Sequence, residues 1–263
     1  LGEARQVLDN VTASTASVVT AKELTLDLLA DGLTLSFNDP ANVLAPFELG
    51  IRQSIQAAWN LWEAHFTRSA PIEIEVSVMT GSTTLLASAG SRVTQSTGEF
   101  DAGIRVFQVG VAYELATGID PNGAGPDGEI SLGSNLSRFA FRASLDDPLP
   151  TDKFDAISVF VHEIGHILGF SANNRFLSNS VNTFDRYITG TGNLLFTGPA
   201  AIAANGGAAV AMDPASPSHL ADSSDLMAAN IAVGQIRLIE PVHIAMLQDA
   251  GLPVSLLGIN ELA

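Results

Sequence analysis

Two histidines four residues apart on an amphipathic helix constrain this chain more than any other feature. Apolar side chains recur at helical spacing over residues 154–168, which predicts a helix with one face packed on a core. These side chains are Phe154, Ile157, Val161, Ile164 and Leu168. His162 and His166 lie one turn apart beside that apolar face. Gly169 is expected to end the helix, because glycine tolerates a left-handed backbone.

The histidine pair has the spacing of a metal site. Two imidazoles at i and i+4 can both reach one zinc ion at about 2.0–2.1 Å. Glu163 follows the first histidine and can reach a water on the metal without being a ligand. His162, Glu163 and His166 therefore predict a zinc-dependent peptidase, in which metal and carboxylate together make a nucleophile from water. The alternative, a pair of core histidines, fits poorly because the apolar face is separate from the histidine face.

The third zinc ligand is not fixed by the helix. A catalytic zinc normally takes three protein ligands and leaves one position for water. In the extended pattern HExxHxxGxxH the third ligand is the last histidine, but here that position is Ala172. The remaining candidates are His219, His65, His243 and the carboxylate of Asp185. His65 fits a helix end and His243 fits packing or support of a ligand better than a ligand role, but the residues alone leave all four candidates open.

The surroundings of His219 resemble those in the leishmanolysin-type metzincins and related secreted bacterial metalloproteases. In that family HExxHxxGF precedes a long insertion, a distant histidine and a Leu-Met pair in the turn beneath the zinc. This chain matches with residues 162–170, His219 and residues 226–227, and residues 244–252 match the family's tail. The eukaryotic members are rich in disulfides, whereas this chain has no cysteine, so the resemblance is to a bacterial branch.

The resemblance implies a complete site. His162, His166 and His219 would bind one catalytic zinc, Glu163 would act as general base, and Met227 would pack under the metal. The activity implied is that of a secreted zinc endopeptidase acting on protein or peptide substrates. Two other interpretations stay open: a zinc peptidase with Asp185 as third ligand, and a non-catalytic binding protein on a peptidase fold. The second conflicts with the intact Glu163.

The fold implied is α+β, of the metzincin-like zincin type. Residues 23–170 would form an upper subdomain with a mixed sheet and two long helices, one of them the histidine helix. Residues 171–263 would form an irregular lower subdomain with the third ligand, the Met-turn and a C-terminal helix. Residues 1–22 are interpreted as an N-terminal arm or the remnant of a pro-segment. Substrate would add a strand to the sheet edge, which we predict at residues 129–135.

Local patterns predict the individual elements. Helices are expected over residues 46–66 and 241–250, in addition to the histidine helix. Apolar–polar alternation predicts strands, of which residues 72–78 give the clearest case. The other predicted strands lie within residues 24–37, 83–89 and 103–113.

Charge and composition exclude several partners. The chain of 263 residues carries a net charge of −16 and no basic cluster, so neither nucleic acid nor an anionic membrane surface is an expected partner. The absence of cysteine excludes a thiolate zinc site, a cysteine nucleophile and a disulfide framework. No apolar run reaches the length of a transmembrane helix. We expect a monomer.

An acidic, glycine-rich segment at residues 118–135 offers oxygen ligands for a second metal. Asp120, Asn122, Asp127 and Glu129 could hold Ca²⁺, the cation that prefers such ligands. The spacing is not that of an EF-hand, since Ser131 stands where the closing glutamate would be. The favoured interpretation from sequence is a solvated turn before a strand.

Overall fold

The computed structural model describes residues 32–79, 81, 84–172 and 180–255, which form a mixed α+β fold. The helices are α1 (Glu48–Glu63), α2 (Gly110–Thr117), α3 (Ala156–Leu168), α4 (Pro199–Ala204) and α5 (Pro241–Asp249), with 3-10 turns at Ala45–Phe47, Leu136–Arg138 and Asp185–Tyr187. The first strands are β1 (Leu33–Asn38), β2 (Ile72–Met79), β3 (Ala87–Ser91), β4 (Thr94–Asp101), β5 (Ile104–Val109) and β6 (Gly128–Gly133). They are followed by β7 (Phe139–Ala140), β8 (Phe154–Asp155), β9 (Ser180–Asn182), β10 (Ile188–Thr189), β11 (Leu194–Phe196) and β12 (Val210–Met212). The α+β prediction is confirmed at this level, whereas the predicted arm at 1–22 lies outside the described residues.

The main sheet has the order β1-β2-β6-β3, with β1, β2 and β6 parallel and β3 antiparallel to β6. In β2 the buried side chains of Ile72, Ile74 and Val76 alternate with half-buried ones, as the sequence predicted. Helices α1 and α3 pack against each other, and α3 also packs on β3 and β6. The indole Nε1 of Trp62 in α1 donates a 2.9 Å hydrogen bond to the carbonyl of Val161 in α3.

The predicted sheet edge at residues 129–135 is wrong. Strand β6 covers most of that range and lies between β2 and β3, so the edge on this side is β3. The physical reason is that residues 87–91 return antiparallel along the outer side of β6 and use its hydrogen-bonding groups. Residues 83–89 were predicted as a strand, but their place in the sheet order was not.

The predicted strand over residues 103–113 is correct only as far as Val109. Residues Gly110–Thr117 are helix α2, which begins where the backbone of Val109 is still extended. Gly110 allows this junction, because a Cβ there would lie 2.5 Å from Cγ2 of Val93. The adjacent strand β4 was not predicted, since most of its side chains are exposed and polar and show no apolar alternation.

One hydrophobic core runs through both halves of the described chain. It contains the inner faces of α1, α3 and the main sheet, and it continues into residues after the histidine helix, such as Phe184, Phe196 and Leu247. Strands β10, β11 and β12 form a small antiparallel sheet, and α4 packs on α5. No helix within the described ranges has the length and hydropathy needed to cross a membrane.

The histidine helix is fixed at both ends. Asp155 caps its start, with Oδ2 accepting hydrogen bonds from the backbone N–H of Ser158 at 3.1 Å and from its hydroxyl at 2.7 Å. Gly169 ends it with φ of 135°, a conformation that an L side chain rarely adopts. The predicted helix, including its end at Gly169, is confirmed.

Candidate metal centre

Three histidines that are distant in sequence come together at one point. Ring nitrogens of His162, His166 and His219 all lie within 4.8 Å of one another. Their ring centroids are 4.7 Å apart for His162 and His166, 5.2 Å for His162 and His219, and 4.8 Å for His166 and His219. The structure thus brings together the histidine pair of α3 and the distant histidine singled out from the sequence.

Each imidazole is oriented through its Nδ1 atom. Nδ1 of His162 lies 2.8 Å from the carbonyl oxygen of Leu226, and Nδ1 of His166 lies 2.6 Å from that of Phe170. A carbonyl oxygen only accepts, so both Nδ1 atoms carry the proton and both Nε2 atoms present a lone pair. Nδ1 of His219 lies 2.7 Å from the hydroxyl of Ser216. Hydrogen bonds of this kind fix ring orientation at metal sites.

The donor set fits a bound cation. Nε2 of His162 and Nε2 of His166 are 3.0 Å apart, close to the roughly 3.3 Å expected between two nitrogens on one tetrahedral zinc. Burial lowers the pKa of His162 to about 3 and the pKa of His166 to about 4, and burial also lowers the pKa of His219. Two neutral imidazoles that face each other with lone pairs repel, and a cation between them removes that repulsion.

Glu163 lies beside the histidines and lines the same cleft. Its side chain is largely buried, and burial raises its pKa to about 8. A dication bound by the adjacent imidazoles would act in the opposite direction and favour the carboxylate. Glu163 is therefore placed to hold or release a proton at this site, the property required of a general base.

A turn at Leu226 and Met227 supports the histidine helix from below. Met227 is fully buried, and its Sδ would lie 3.0 Å from a Cβ added at Gly165. Gly165 thus lets the thioether approach the helix backbone between the two histidines. The carbonyl of Leu226 in the same turn orients His162, so one turn both packs under the histidine helix and directs one of its imidazoles.

The turn is itself held by buried polar residues. Oδ1 of Asp225 accepts hydrogen bonds from the backbone N–H of Met227 at 2.6 Å and from Nε2 of His243 at 2.9 Å. The guanidinium of Arg237 donates to the carbonyls of Ser223, Asp225 and Asn230. His243 was predicted to pack or to support a ligand rather than to bind the metal itself, and its contact with Asp225 agrees with that prediction. Arg237 was not predicted, and no local pattern marks it.

Asp185 lies outside the histidine group. It is buried in the 3-10 turn that follows β9, where its Oδ2 accepts the backbone N–H of Asn182 at 3.2 Å. In return, its own N–H donates to the side-chain oxygen of Asn182 at 2.7 Å. Across the part of the chain that the structure describes, the group of metal-ligating atoms around His162 contains only histidines. His65 also lies apart, at the end of α1.

The histidines open onto a cleft of about 610 Å³. Its walls are the edge strand β3 with the residues before it, the histidine helix, and the loop that carries His219 and the Met227 turn. The cleft therefore has backbone of a sheet edge along one side and the candidate metal ligands along the other. Phe154 and Phe170 add apolar surface to it.

A second group of candidate metal ligands contains two residues that were named from the sequence, Asp120 and Asp127, and one that was not, Glu114. Carboxylate oxygens of Glu114, Asp120 and Asp127 lie within 4.8 Å of one another. Burial, with the charges of neighbouring acids, raises the pKa of Glu114 to about 8 and the pKa of Glu73 to about 7. Glu129, one of the candidate oxygen ligands named from the sequence, instead pairs with Arg92 at 2.9 Å and lies outside this group.

No protein-family model matches the sequence, and no curated protein matches it either. The function therefore has to be inferred from the geometry of the two ligand groups and from the cleft.

Proposed function

We propose that this protein is a zinc-dependent endopeptidase, related to the leishmanolysin-type metzincins and built as a metzincin-like zincin. The observation that carries the proposal is the convergence of His162, His166 and His219 beside Glu163 in an open cleft. The packing of Met227 beneath the histidine helix agrees with the same assignment. A secreted bacterial monomer acting on proteins or peptides is the setting that the resemblance favours.

Zinc is the metal that the donor set favours. Three neutral imidazoles with one open position form the ligand set of catalytic zinc sites, whereas calcium and magnesium prefer oxygen ligands. The chemistry that zinc supplies in such a site is Lewis acidity, which activates water and stabilises negative charge on a carbonyl oxygen. The Nδ1 hydrogen bonds of His162 and His166 keep their Nε2 atoms ready for this role without rearrangement.

The protein's own groups would then bind substrate and move a proton. The Glu163 carboxylate takes the proton of the attacking water and passes it to the leaving amine of the scissile bond. The peptide lies extended along β3, whose outward N–H and C=O groups pair with its backbone. Strand β3 replaces residues 129–135 in this role because it is the edge that lines the cleft.

The two competing functions have less support. Zinc bound through Asp185 would require its carboxylate to leave Asn182 and reach the histidine group. A binding protein without catalysis would have no use for Glu163, a buried carboxyl group directed into the cleft. Burying a carboxyl group destabilises the folded protein, and a residue with a purely structural role would bring no benefit to offset that cost.

Hydrolysis of denatured casein tests the activity. We expect a chelator to abolish cleavage and added zinc to restore it. Glu163→Gln should keep stoichiometric zinc but lose about 10²–10⁴-fold in rate, because the general base is gone while the ligands remain. Glu99→Gln, an exposed position away from the cleft, is the matched control. Full activity after complete zinc removal, confirmed by elemental analysis, would refute the mechanism.

Zinc titrations identify the third ligand. His219→Ala should weaken zinc binding by orders of magnitude, because it removes one of three ligands. Asp185→Asn should leave zinc affinity nearly unchanged, since an asparagine oxygen can still accept from the N–H of Asn182. Tight binding by His219→Ala together with loss of binding by Asp185→Asn would establish the carboxylate-ligated alternative.

A further inference from the structure

Three separate elements direct carboxylates to one point on the side of the main sheet where β6 begins. Glu114 belongs to α2, Asp120 to the loop after it, and Asp127 directly precedes β6. One oxygen from each lies within 4.8 Å of the others. The carboxyl group of Glu73, from the start of β2, is also close enough to Asp127 that burial and this neighbouring acid together raise the pKa of Glu73. Four acidic side chains thus share a small volume.

Two of these side chains bury an oxygen that has no partner. Glu114 is 2% exposed and Asp127 is fully buried. Oε2 of Glu114 and Oδ1 of Asp127 receive no hydrogen bond from any residue that the structure describes, although the other oxygen of Asp127 accepts the N–H of Glu73 at 2.9 Å. Buried polar atoms are nearly always paired, and an unpaired buried carboxylate oxygen is especially costly.

The positive charge needed to balance these acids does not come from a nearby side chain. Arg92, close in sequence to β3, pairs with Glu75 and Glu129 instead. Among the ion pairs within the described ranges, none includes Glu73, Glu114, Asp120 or Asp127. The raised pKa values of Glu73 and Glu114 mean that protons balance part of this negative charge near neutral pH, and a cation bound by the unpaired oxygens would displace those protons.

We propose that Glu114, Asp120 and Asp127 bind a calcium ion, with Glu73 beside them. Calcium takes 6–8 oxygen ligands at about 2.3–2.6 Å and accepts irregular geometry, which suits carboxylates contributed by a helix, a loop and a strand. Magnesium requires a near-ideal octahedron and retains its waters. The group offers no imidazole or thiolate, so it differs in chemistry from the histidine site.

The proposed ion would act as a structural brace. It would link α2, the loop at residues 118–127 and the start of β6. Gly128, next to Asp127, packs directly on the histidine helix, because a Cβ there would lie 2.9 Å from Cγ2 of Ile167. Calcium would thus stabilise the sheet behind α3 without touching the reacting groups, and this role does not depend on the peptidase activity.

Calcium titration tests the site on protein stripped of metals and reloaded with one equivalent of zinc. We expect calorimetry with CaCl₂ to give one site per chain, and the melting temperature to rise with CaCl₂ until the site saturates. MgCl₂ at the same concentrations should have a much smaller effect. Stability and binding are measured without substrate, so loss of the calcium effect is distinguishable from failure of the proposed peptidase.

Asp120→Asn is the most informative variant, because we expect the substituted protein to fold. The asparagine Oδ1 can still accept the N–H groups of Asn122 and Gly123, as Asp120 does at 2.9 and 2.7 Å. Only the charge is lost, and calcium affinity should fall about tenfold or more, since the number of charged ligands tunes affinity. Asp152→Asn removes the same charge at an exposed position outside the group and should bind calcium like the wild type.

Three results would overturn the proposal. The first is the absence of calcium binding both at pH 7 and at pH 9, which would mean that protons alone neutralise the group. The second is equal stabilisation by magnesium, which would remove the assignment to calcium. The third is unchanged calcium affinity in both Asp120→Asn and Asp127→Asn, which would place the ion elsewhere.

Discussion

Replacing Asp155 by asparagine should destabilise the protein by about 3–5 kcal/mol, the usual cost of breaking a buried ion pair by neutralising one partner. Its side chain and that of Arg142 are 0% and 3% exposed, and Oδ1 of Asp155 accepts from Nε and Nη2 of Arg142 at 3.0 and 2.7 Å. Asparagine keeps one acceptor oxygen and the size of the side chain, but it leaves the guanidinium charge buried and uncompensated.

The position of this pair makes the loss relevant to the candidate site. Oδ2 of Asp155 also caps the histidine helix through Ser158, and Nη1 of Arg142 donates to the carbonyls of residues 144, 145 and 147. The cap contributes about a further 1 kcal/mol if asparagine cannot satisfy both roles at once. In a protein of this size, each kcal/mol lowers the melting temperature by about 2–4 °C.

Urea denaturation followed by circular dichroism measures the change in unfolding free energy. Glu99→Gln is the control, because the Glu99–Arg186 ion pair lies at the surface with side chains 56% and 36% exposed. That control should lose about 0–1 kcal/mol, as exposed pairs do. If Asp155→Asn lost no more than Glu99→Gln, the reasoning that burial makes the Arg142–Asp155 pair indispensable would be refuted.

Two further substitutions test packing near the cleft. Met227→Ala should lose about 2–5 kcal/mol by urea denaturation, because it leaves a cavity beneath Gly165, whereas Met227→Leu should lose less than about 1.5 kcal/mol; equal losses would contradict this. Gly133→Ala should cost at least about 1–3 kcal/mol, since its Cβ would lie 2.0 Å from the carbonyl oxygen of Leu85. A melting temperature equal to that of the wild type would show that the backbone there can move.

The elements that local sequence patterns predicted correctly are those whose pattern is set by residues close together in the sequence. The histidine helix was predicted from an apolar period and a terminal glycine, both of which act within one segment. The alternation over residues 72–78 predicted β2 for the same reason. His219 is different, because no local pattern links it to α3, and only the resemblance to a family of known arrangement singled it out.

Features that depend on contacts between residues far apart in the sequence were either not predicted or predicted wrongly. The position of β3 outside β6 depends on how strands pair, which alternation within a strand does not encode. Glu114 follows a segment predicted as strand and Glu73 alternates with the apolar residues of β2, so neither looked like a ligand. Their meeting with Asp127 requires α2 and two parallel strands to be in place, a consequence of the whole fold.

Strand β3, the sheet edge that lines the cleft, allows a test of substrate binding that leaves the three candidate zinc ligands unchanged. The N–H of Gly133 donates to the carbonyl of Leu86, which fixes the alternation of the β3–β6 pair. In that alternation the N–H and C=O of Ser88 point toward β6, whereas those of Ala87 and Ala89 point outward into the cleft. Proline is tolerated on an edge strand where the missing N–H would face away from the sheet.

Ala89→Pro should therefore keep the melting temperature and zinc content of the wild type but lower kcat/KM for an extended peptide, because the proposed pairing of substrate with β3 would lose one backbone hydrogen bond. A single hydrogen bond contributes about 0.5–1.5 kcal/mol, which corresponds to a loss of roughly 2- to 13-fold. Ser88→Pro removes an N–H that pairs with β6 and should instead lower the melting temperature. Unchanged kcat/KM in a folded, zinc-loaded Ala89→Pro protein would mean that substrate does not pair with β3 at this position.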